Sequence, residues 1–351
     1  MANMKIGNHV VGDRCRPYII AEVGINHNGE LEKALAMVEV AAQAGADAVK
    51  FQTFRADELV GDDGLTYTYQ SQGRSVTESM LAMFKRYEFE WDDWRLIKKR
   101  CDDIGISFLS TPQNRSDLDL LLGLGIAAIK VGSDDLTNIP LLKDYASTGL
   151  PLILSAGMAD LAEIFQSLAA IGGLGGYPCA LLVCTSLYPT PPAAANLLRI
   201  KTLGAAFPML VLGFSDHTRG RLAAPVALAL GAKVFEKHFT LDHDLPGPDH
   251  WFSEDPEGLR AWIKAIRAAD EMLGSGIVQA AEEENHMKIL ARRTITAACD
   301  ICPGDKLTSE KLVLRRPGIG LPAALWEVVV DSTAAKSLKR GDKLQWGDFE
   351  K

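Results

Sequence analysis

Short apolar runs recur along residues 18–235, and each run ends in polar side chains or contains one. Eight of these runs have the length and composition of β-strands, and stretches with helical spacing separate them. The runs are Tyr18–Ala21, Ala46–Phe51, Ile106–Leu109, Ala127–Val131, Leu152–Leu154, Cys179–Cys184, Met209–Phe214 and Lys233–Phe235. Strands that alternate with helices predict a parallel sheet, and eight such units predict an α/β fold of the (β/α)8, or TIM barrel, type.

Helical spacing is clearest in two of the intervening stretches. Leu31–Gly45 has apolar residues three and four positions apart, and it ends at a glycine that can cap a helix. Trp91–Gly105 repeats this pattern. Further crossover helices are predicted over Ser116–Gly123, Ile139–Ser147, Asp160–Ile171, Ala193–Phe207, Gly220–Leu230 and Asp255–Leu273. The stretch 55–89 is polar and lacks strong periodicity, so it is predicted to be a long loop and a candidate lid.

The chain has 351 residues, which suits one barrel of about 250 residues and a smaller domain. We expect a barrel domain over residues 1–275 and a linker over 276–290, with a short charged helix at Ala281–Lys288. From Ala291 onward, short β-branched runs are broken by Pro-Gly pairs. This pattern predicts a small β-rich domain over 291–351. A core of that size is marginal alone, so the domain is expected to dock on another surface.

Composition narrows the class of protein. A hydrophobic fraction of 47% is ordinary for a folded soluble chain, and no apolar run approaches the roughly 20 residues that span a bilayer. The first ten residues lack the apolar core of a signal peptide, so a cytoplasmic location without membrane attachment is expected. A net charge of −8 without a long basic run argues against nucleic-acid binding.

Two histidines follow neighbouring strands of the predicted barrel. His217 comes after the seventh run and His238 after the eighth, so both imidazoles are expected at adjacent strand ends. Two histidines with water, alone or together with a carboxylate, suit Mn²⁺, Co²⁺ or Zn²⁺ better than Ca²⁺. Asp216, Glu236 and Asp249 are the nearby carboxylates in sequence. From spacing alone, a pair of hydrogen-bonding histidines without a metal is an equally good interpretation.

Two lysines lie inside apolar strands, where an unpaired charge would be costly. Lys50 and Lys130 are therefore predicted to be functional, and Lys237 is expected to converge with them in the mouth of the barrel. Several small hydroxyl side chains follow the same strand ends: Thr111, Ser133, Ser155, Ser186 and Ser215. Lysine charge together with hydroxyl donors predicts a site for an anion such as phosphate.

Nine segments in order resemble the N-acetylneuraminate (sialic acid) synthase family. They are AEVGINHNG (21–29), VKFQTF (49–54), FLSTP (108–112), IKVGSDDLTNIPLL (129–142), LSAGM (154–158), CTSLYPTP (184–191), GFSDHT (213–218), FEKHFTLD (235–242) and LPGPDH (245–250). The tail segments ARRTITAACDI (291–301) and LRRPGIGL (314–321) resemble the antifreeze-protein-like (SAF) domain that ends those enzymes. The resemblance covers the chain from about residue 16 to its end.

This resemblance implies a reaction. Family members condense phosphoenolpyruvate with an open-chain N-acylated hexosamine, such as N-acetylmannosamine or a related deoxy diacetamido sugar. The products are a nine-carbon (nonulosonic) 2-keto-3-deoxy sugar acid and phosphate, released by C–O cleavage. A divalent ion on His217 and His238, most often Mn²⁺ with Mg²⁺ or Co²⁺ as alternatives, would polarise the aldehyde. Glu22 and Glu236 match catalytic positions, and proton transfer or water orientation is the expected role of Glu236.

The resemblance also assigns binding positions. Those matching the phosphoenolpyruvate site are Lys50, Thr111, Lys130, Ser133, Ser155, Ser186 and Ser215. Those matching the sugar site are Glu22, Gln52, Tyr188, Asp249 and Arg316. In the family, the arginine at the position of Arg316 reaches the sugar from the terminal domain of a partner subunit, which implies a domain-swapped homodimer.

Some positions depart from the common family pattern. Ser186 stands where many members have asparagine, Val183 replaces a frequent histidine, and Gln113-Asn114 is unusual. These changes leave the acceptor open, because legionaminic and pseudaminic acid synthases share the framework. A synthase for octulosonate or heptulosonate would need a second basic pocket, and no arginine cluster follows the strands. A non-catalytic sugar-binding protein is disfavoured because both histidines and both strand lysines are present.

Overall fold

A computed structural model describes residues 2–62 and 64–351. The chain folds into two compact units, the first ending at Gly274 and the second beginning at Ser275. The described strands of the first unit are β1 (Asn3–Ile6), β2 (His9–Gly12), β3 (Tyr18–Gly24), β4 (Ala48–Thr53), β5 (Thr66–Ser71), β6 (Arg74–Ser79), β7 (Ser107–Pro112), β8 (Ile129–Val131), β9 (Leu152–Ser155), β10 (Cys179–Cys184), β11 (Val211–Ser215) and β12 (Val234–His238).

Eight of these strands form one parallel sheet in the order β7-β4-β3-β12-β11-β10-β9-β8. Along the chain, β3 is the first barrel strand and β12 the last, and these two pair, with Val234 opposite Tyr18 and His238 opposite Glu22. β7 and β8, at the two ends of this order, also contact each other. The sheet is therefore a nearly closed barrel, which confirms the predicted (β/α)8 fold. All the carboxyl ends of the strands lie at one end of the barrel.

Helices connect the strands of the first unit. They are α1 (Leu31–Ala44), α2 (Ala56–Leu59), α3 (Met80–Tyr87), α4 (Trp91–Ile104), α5 (Arg115–Leu124), α6 (Ile139–Ser147), α7 (Leu161–Ala170), α8 (Pro192–Ala195), α9 (Arg199–Ala206), α10 (Ala223–Ala229) and α11 (Pro256–Leu273). Gly45 caps α1 at a φ of 91°, a left-handed conformation that glycine adopts easily. The prediction of a single helix over Ala193–Phe207 was wrong, because two shorter helices occupy this stretch. Asn196 has a φ of 43° and separates α8 from α9.

A hairpin that was not predicted closes the amino-terminal end of the barrel. β1 and β2 pair antiparallel, with Met4 opposite Val11. Met4, Ile6 and Val11 are buried in the same cluster as Tyr18 and the other side chains near the starts of the strands. The hairpin therefore leaves the opposite end, where the carboxyl ends of the strands lie, as the open end of the barrel.

The stretch 55–89 is not the irregular loop that its polarity predicted. β5 and β6 form an antiparallel hairpin that turns at Gln72 and Gly73, both with positive φ, and α3 follows. Ser79 caps α3 by accepting a hydrogen bond from the Ala82 amide. Asp63 in this stretch lies outside the described residues. Whether the stretch serves as a lid stays a prediction.

The second unit is small and β-rich. Its elements are α12 (Glu284–Ala291), β13 (Thr294–Ala297), β14 (Leu312–Arg315), α13 (Trp326–Val329), β15 (Thr333–Ala334) and β16 (Phe349–Glu350). β13 pairs with β14, and β15 pairs with β16. Its own core includes Ile295, Leu307, Val329 and Leu344. Across residues 2–62 and 64–351, no helix has both the length and the hydropathy needed to cross a bilayer.

Candidate active site

A cavity of about 260 Å³ opens at the carboxyl ends of the barrel strands. Parallel strands bring their last residues to this end, which is why side chains distant in sequence meet here. The predicted site residues that line it are Glu22, Lys50, Gln52, Thr111, Lys130, Ser133, Ser155, Ser186, Tyr188, Ser215, His217, Glu236 and His238. We call this space the inner cavity.

A larger cavity of about 700 Å³ shares six lining residues with the inner cavity: Gln52, Gln113, Asp134, Ser186, Tyr188 and His238. We call it the outer cavity, and Asp249 lines it. Much of its lining is apolar: Ile25, Leu59, Met80, Met83, Phe84, Leu187, Trp251 and Phe252. The remaining predicted sugar residue, Arg316, lies in the second unit, where its side chain is exposed.

The floor of the inner cavity holds two buried lysines and two buried glutamates. Lys50 Nζ lies 2.7 Å from Glu22 Oε2 and 3.7 Å from Glu236 Oε2. Lys130 Nζ lies 3.6 Å from Glu236 Oε1. The two lysines are each 3% exposed, so their charges are compensated by carboxylates rather than by water. This arrangement explains how lysines are tolerated inside apolar strands.

The four groups of the floor shift one another's pKa values. Burial raises the pKa of Glu22 to about 7, although Lys50 acts in the opposite direction. Burial also acts to raise the pKa of Glu236, but Lys130 and Lys50 hold it below its ordinary value. Burial lowers the pKa of Lys130, whereas the two glutamates outweigh burial and raise the pKa of Lys50. The floor therefore has one carboxylate that stays ionised and one that titrates near neutral pH.

Hydroxyl groups surround the lysine ammonium groups. Lys50 Nζ donates to Thr111 Oγ1 at 3.2 Å, and Lys130 Nζ donates to Ser155 Oγ at 2.8 Å. Ser215 Oγ donates to Glu236 Oε1 at 3.0 Å. These groups present several donors to a single space, as binding of an anion requires.

Gly157 allows two further hydroxyls to approach the inner cavity. Its amide donates to Ser133 Oγ at 3.0 Å. A Cβ at residue 157 would lie 2.5 Å from Ser186 Oγ and 2.6 Å from Ser133 Oγ, so a larger residue would displace both. Ser186 Oγ is buried and has no hydrogen-bond partner within the described residues. A buried hydroxyl without a partner is costly unless a ligand or water satisfies it.

The two imidazoles face each other across the mouth of the inner cavity. The ring centroids of His217 and His238 lie 5.5 Å apart, and the Tyr188 ring lies 4.2 Å and 5.9 Å from them. His217 Nδ1 donates to the Thr185 carbonyl at 2.9 Å, because a carbonyl can only accept. In the neutral ring, that bond leaves the lone pair of His217 on Nε2, the tautomer that a metal-binding histidine with an anchored Nδ1 has. Burial acts to lower the pKa of His217, but the Cys184 thiol and the Thr185 carbonyl raise it above its ordinary value.

These residues fit a divalent ion in their donor chemistry. Burial and the neighbouring His217 hold the pKa of His238 well below its ordinary value, so His238 is neutral. His238 Nδ1 is buried, has no hydrogen-bond partner within the described residues, and lies 4.0 Å from Asp249 Oδ2. No group of three His, Cys, Asp or Glu side chains is arranged as a metal site in the described part of the chain. A bound ion would therefore have two imidazole ligands and would take its others from water or substrate.

The prediction for Lys237 was wrong. It does not line the inner cavity but lies on the opposite face of β12, where it pairs with Asp216 at 3.2 Å. Side chains alternate along a strand, so Glu236 and His238 point into the barrel and the residue between them points outward. The alternation itself could have revealed this from sequence.

The hairpin side of the outer cavity was missed as part of the site. Tyr67 and Tyr69 of β5, together with Met80, Met83 and Phe84 of α3, line this cavity. The rings of Tyr67 and Tyr69 stack with centroids 5.8 Å apart. In the sequence, the spacing of two residues between Tyr67 and Tyr69 was the signal that could have indicated a strand with one aromatic face.

Comparison with known proteins identifies the family of this chain. Residues 37–278 match the NeuB family, and residues 292–350 match the SAF domain. The chain is 39% identical to N,N'-diacetyllegionaminic acid synthase of Legionella pneumophila, over 95% of this chain and 94% of that protein. It is 31% identical to pseudaminic acid synthase of Campylobacter jejuni, over 99% of this chain and 100% of that protein.

Among solved structures, the N-acetylneuraminic acid (sialic acid) synthetase of Leptospira borgpetersenii, in complex with citrate, is similar with a TM-score of 0.73. The two sequences are 32% identical, and the match covers 81% of this chain and 94% of the other. The family match spans most of the barrel, and the relatives are matched over almost their full lengths. The chain therefore belongs to the NeuB family, the synthase family that its motifs predict, and carries a SAF domain after the barrel.

Proposed function

We propose that this enzyme condenses phosphoenolpyruvate with an open-chain N-acyl amino sugar to form a nonulosonic acid and inorganic phosphate. The observation that carries the proposal is the buried floor of Lys50 and Lys130, flanked by hydroxyls and lying below two imidazoles. A trianionic enol ester needs such a floor, and an aldehyde acceptor needs an electrophilic centre above it.

Phosphoenolpyruvate would occupy the inner cavity. The two lysines supply positive charge, and the hydroxyls of Thr111, Ser155 and Ser215 supply donors of fixed direction. Ser186, whose buried hydroxyl has no partner within the described residues, would donate to the ligand. Because Glu22 titrates near neutral pH, its protonation would free Lys50 for the incoming anion.

The acceptor aldehyde would lie next to the imidazoles. When bound, a divalent ion supplies Lewis-acid polarisation of that aldehyde, and Mn²⁺ is the expected ion, with Mg²⁺ or Co²⁺ as alternatives. His217 through Nε2 and His238 are the residues that would hold it. The neutral ring of His238 and the anchored Nδ1 of His217 suit that role.

The bonds formed and broken in the proposed reaction assign a role to Glu236 of the floor. C3 of the enol ester forms a bond to the aldehyde carbon, and the aldehyde oxygen takes up a proton. Water adds at C2, and the C2–O bond breaks to release phosphate and leave the ketone. Glu236 stays ionised and accepts a hydrogen bond from Ser215 Oγ, so its carboxylate is placed to orient that water or accept its proton.

The outer cavity supports a deoxy diacetamido hexose as the acceptor in preference to N-acetylmannosamine. Apolar side chains, among them Leu59, Met80, Phe84 and Trp251, line one part of it, beside polar ones such as Gln70, Asp134 and Asp249. Methyl groups of a 6-deoxy carbon and of a second acetamido group would bury against these apolar side chains, whereas free hydroxyls would lose hydration there. The 39% identity to a diacetyllegionaminic acid synthase supports the same choice.

The test is phosphate release from phosphoenolpyruvate with a panel of acceptors: N-acetylmannosamine, deoxy diacetamido hexoses of different configuration, and a phosphorylated pentose. We expect release only with the N-acyl sugars and the highest kcat/KM with a diacetamido sugar. Phosphoenolpyruvate labelled with ¹⁸O at the bridging position should deliver the label to phosphate. Release with the phosphorylated pentose alone, or with no acceptor in the panel, would refute the proposal.

A further inference from the structure

A buried cluster of charges lies on the outer face of the strands that carry the two histidines. Lys237 Nζ lies 3.2 Å from Asp216 Oδ2 and 3.7 Å from Glu254 Oε1, and it donates to the Thr218 carbonyl. Lys237 and Asp216 are 2% and 1% exposed. The reaction described above uses none of these groups. We refer to Lys237, Asp216 and Glu254 as the Lys237 cluster.

The cluster is adjacent in sequence to both proposed metal ligands. Asp216 directly precedes His217 at the end of β11, and Lys237 directly precedes His238 on β12. Since side chains alternate on a strand, the ligands point into the barrel while the cluster points toward α11. The ion pair between residues 216 and 237 thus joins the two strands directly behind the two imidazoles.

Asp216 is fixed by three further donors. Trp262 Nε1 of α11 donates to its Oδ2 at 3.0 Å. The amide and the hydroxyl of Thr218 donate to its Oδ1 at 2.9 Å and 2.7 Å. The carboxylate therefore holds the backbone on both sides of His217, and it ties that segment to a helix.

Glu254 anchors the backbone at His238 and links it to the segment that follows His217. Its amide donates to the His238 carbonyl at 3.0 Å, and its carboxylate accepts from the Gly220 amide at 3.0 Å. The loop that carries Glu254 also carries Asp249 of the outer cavity. Lys237 lies between the carboxylates of Asp216 and Glu254, so removing its charge would leave both without their common partner.

We propose that the Lys237 cluster is a positioning cluster, which holds His217 and His238 at the separation and orientation that a single divalent cation requires. This inference rests on the proposed function, because it assumes that the two imidazoles bind a metal ion. A buried ion pair adds little net stability compared with packed apolar residues of the same volume, so its main effect is geometric. Partners that orient metal ligands typically change metal affinity by about 10- to 100-fold when removed.

The experiment measures Mn²⁺ binding directly, by electron paramagnetic resonance of free Mn²⁺ on full-length, metal-stripped protein. We compare wild type, Lys237→Met and Asp216→Asn. The asparagine in Asp216→Asn has the same shape as the aspartate, so this variant is less prone to misfolding. Lys233→Met is the matched control, because Lys233 pairs with Asp270 at 3.0 Å just before β12, at its amino-terminal end. Phosphoenolpyruvate affinity of the metal-free proteins is measured by calorimetry.

We expect the Mn²⁺ dissociation constant to rise by about tenfold or more in both cluster variants and to stay unchanged in the control. Phosphoenolpyruvate affinity should change less than about threefold, because the floor is intact. Unchanged Mn²⁺ affinity in both cluster variants would overturn the inference alone. Equal loss of Mn²⁺ and phosphoenolpyruvate affinity would also overturn it, as general distortion. Absence of Mn²⁺ binding in wild type would instead refute the metal role proposed for the site.

Discussion

Lys50 and Glu22 form a buried ion pair of 2.7 Å at the floor of the inner cavity. Both side chains come from neighbouring strands, and residue 22 lies opposite residue 50 in the β3–β4 register. An anionic substrate must therefore compete with a carboxylate that the protein itself supplies. Because burial raises the pKa of that carboxylate to about 7, the competition depends on pH in the physiological range.

The first prediction is a pH-dependent affinity for phosphoenolpyruvate. Below pH 7 Glu22 is mostly protonated and leaves Lys50 free, whereas above it the ionised carboxylate competes, so affinity falls as pH rises. Loss of one proton can weaken binding by at most about tenfold per pH unit above the pKa. Calorimetric titrations between about pH 6 and pH 8 measure this effect. Glu22→Gln should flatten the profile, and parallel profiles of the two proteins would contradict the prediction.

The second prediction concerns the two strand lysines. Lys50→Met and Lys130→Met keep most of the apolar stem and remove the charge. A lost charge-assisted hydrogen bond is worth about 1.5–3 kcal/mol, so phosphoenolpyruvate affinity should fall by roughly tenfold or more. The acceptor KM should change less. Lys233→Met is the control, and an unchanged phosphoenolpyruvate KM in both floor variants would show that these lysines are structural.

The third prediction is dependence on a divalent ion. Chelation should abolish turnover, and Mn²⁺ should restore it. His217→Ala and His238→Ala should each lower kcat/KM by about a hundredfold or more, because each removes one of the two protein ligands. His286→Ala, an exposed histidine on α12, is the matched control. Full activity of a metal-stripped sample would contradict this prediction.

The fourth prediction tests the apolar wall of the outer cavity. Met80 is partly buried at the start of α3 and lines this cavity. Met80→Gln keeps its length and adds polar atoms, so a diacetamido acceptor should lose about 1 kcal/mol, or roughly fivefold in kcat/KM. N-acetylmannosamine should lose less, and the phosphoenolpyruvate KM should not change. Equal losses for the two sugars would mean that this wall does not select the acceptor.

The fifth prediction concerns assembly. The family resemblance implies a two-fold dimer in which Arg316 serves the site of the partner, and a guanidinium suits an amide carbonyl better than an ammonium does. Inactive His217→Ala and Arg316→Ala chains, unfolded together and refolded, should then recover up to about a quarter of the wild-type sites. His217→Ala mixed with His238→Ala should recover none. Arg315→Ala, also exposed, is the control for charge. Absence of recovery in proven mixed dimers would place Arg316 in cis or outside the site.

The sequence predicted the barrel and the groups around its mouth because two simple regularities coincide there. Parallel strands end at the same place, so polar residues after apolar runs must converge. Lys50 and Lys130 stood out because a charge inside an apolar strand needs compensation. The compensating groups, Glu22 and Glu236, come from other strands, and which carboxylate pairs with which lysine depends on strand order and register.

Other features left only a weak periodic signal. The β5–β6 hairpin is largely exposed on both faces, so apart from the alternate Tyr67 and Tyr69 its strands show little alternation between apolar and polar residues. The β1–β2 hairpin is too short to show a reliable period, and its buried residues are defined only by the barrel interior. The predicted position of Lys237 was wrong because its neighbours Glu236 and His238 point into the barrel, and the alternation of strand side chains turns the residue between them outward.

The pairing of β3 with β12 has a consequence for the order of folding during synthesis. Tyr18 finds its strand partner only at Val234, and the β1–β2 hairpin packs on residues drawn from all around the barrel. The first segments to leave the ribosome therefore wait for more than 200 residues before their apolar surfaces can be covered. Until then, β3 presents an open edge and the hairpin an uncovered apolar face. Until β12 has left the ribosome the nascent chain keeps these surfaces uncovered, whereas the sheet can close once Val234–His238 has emerged.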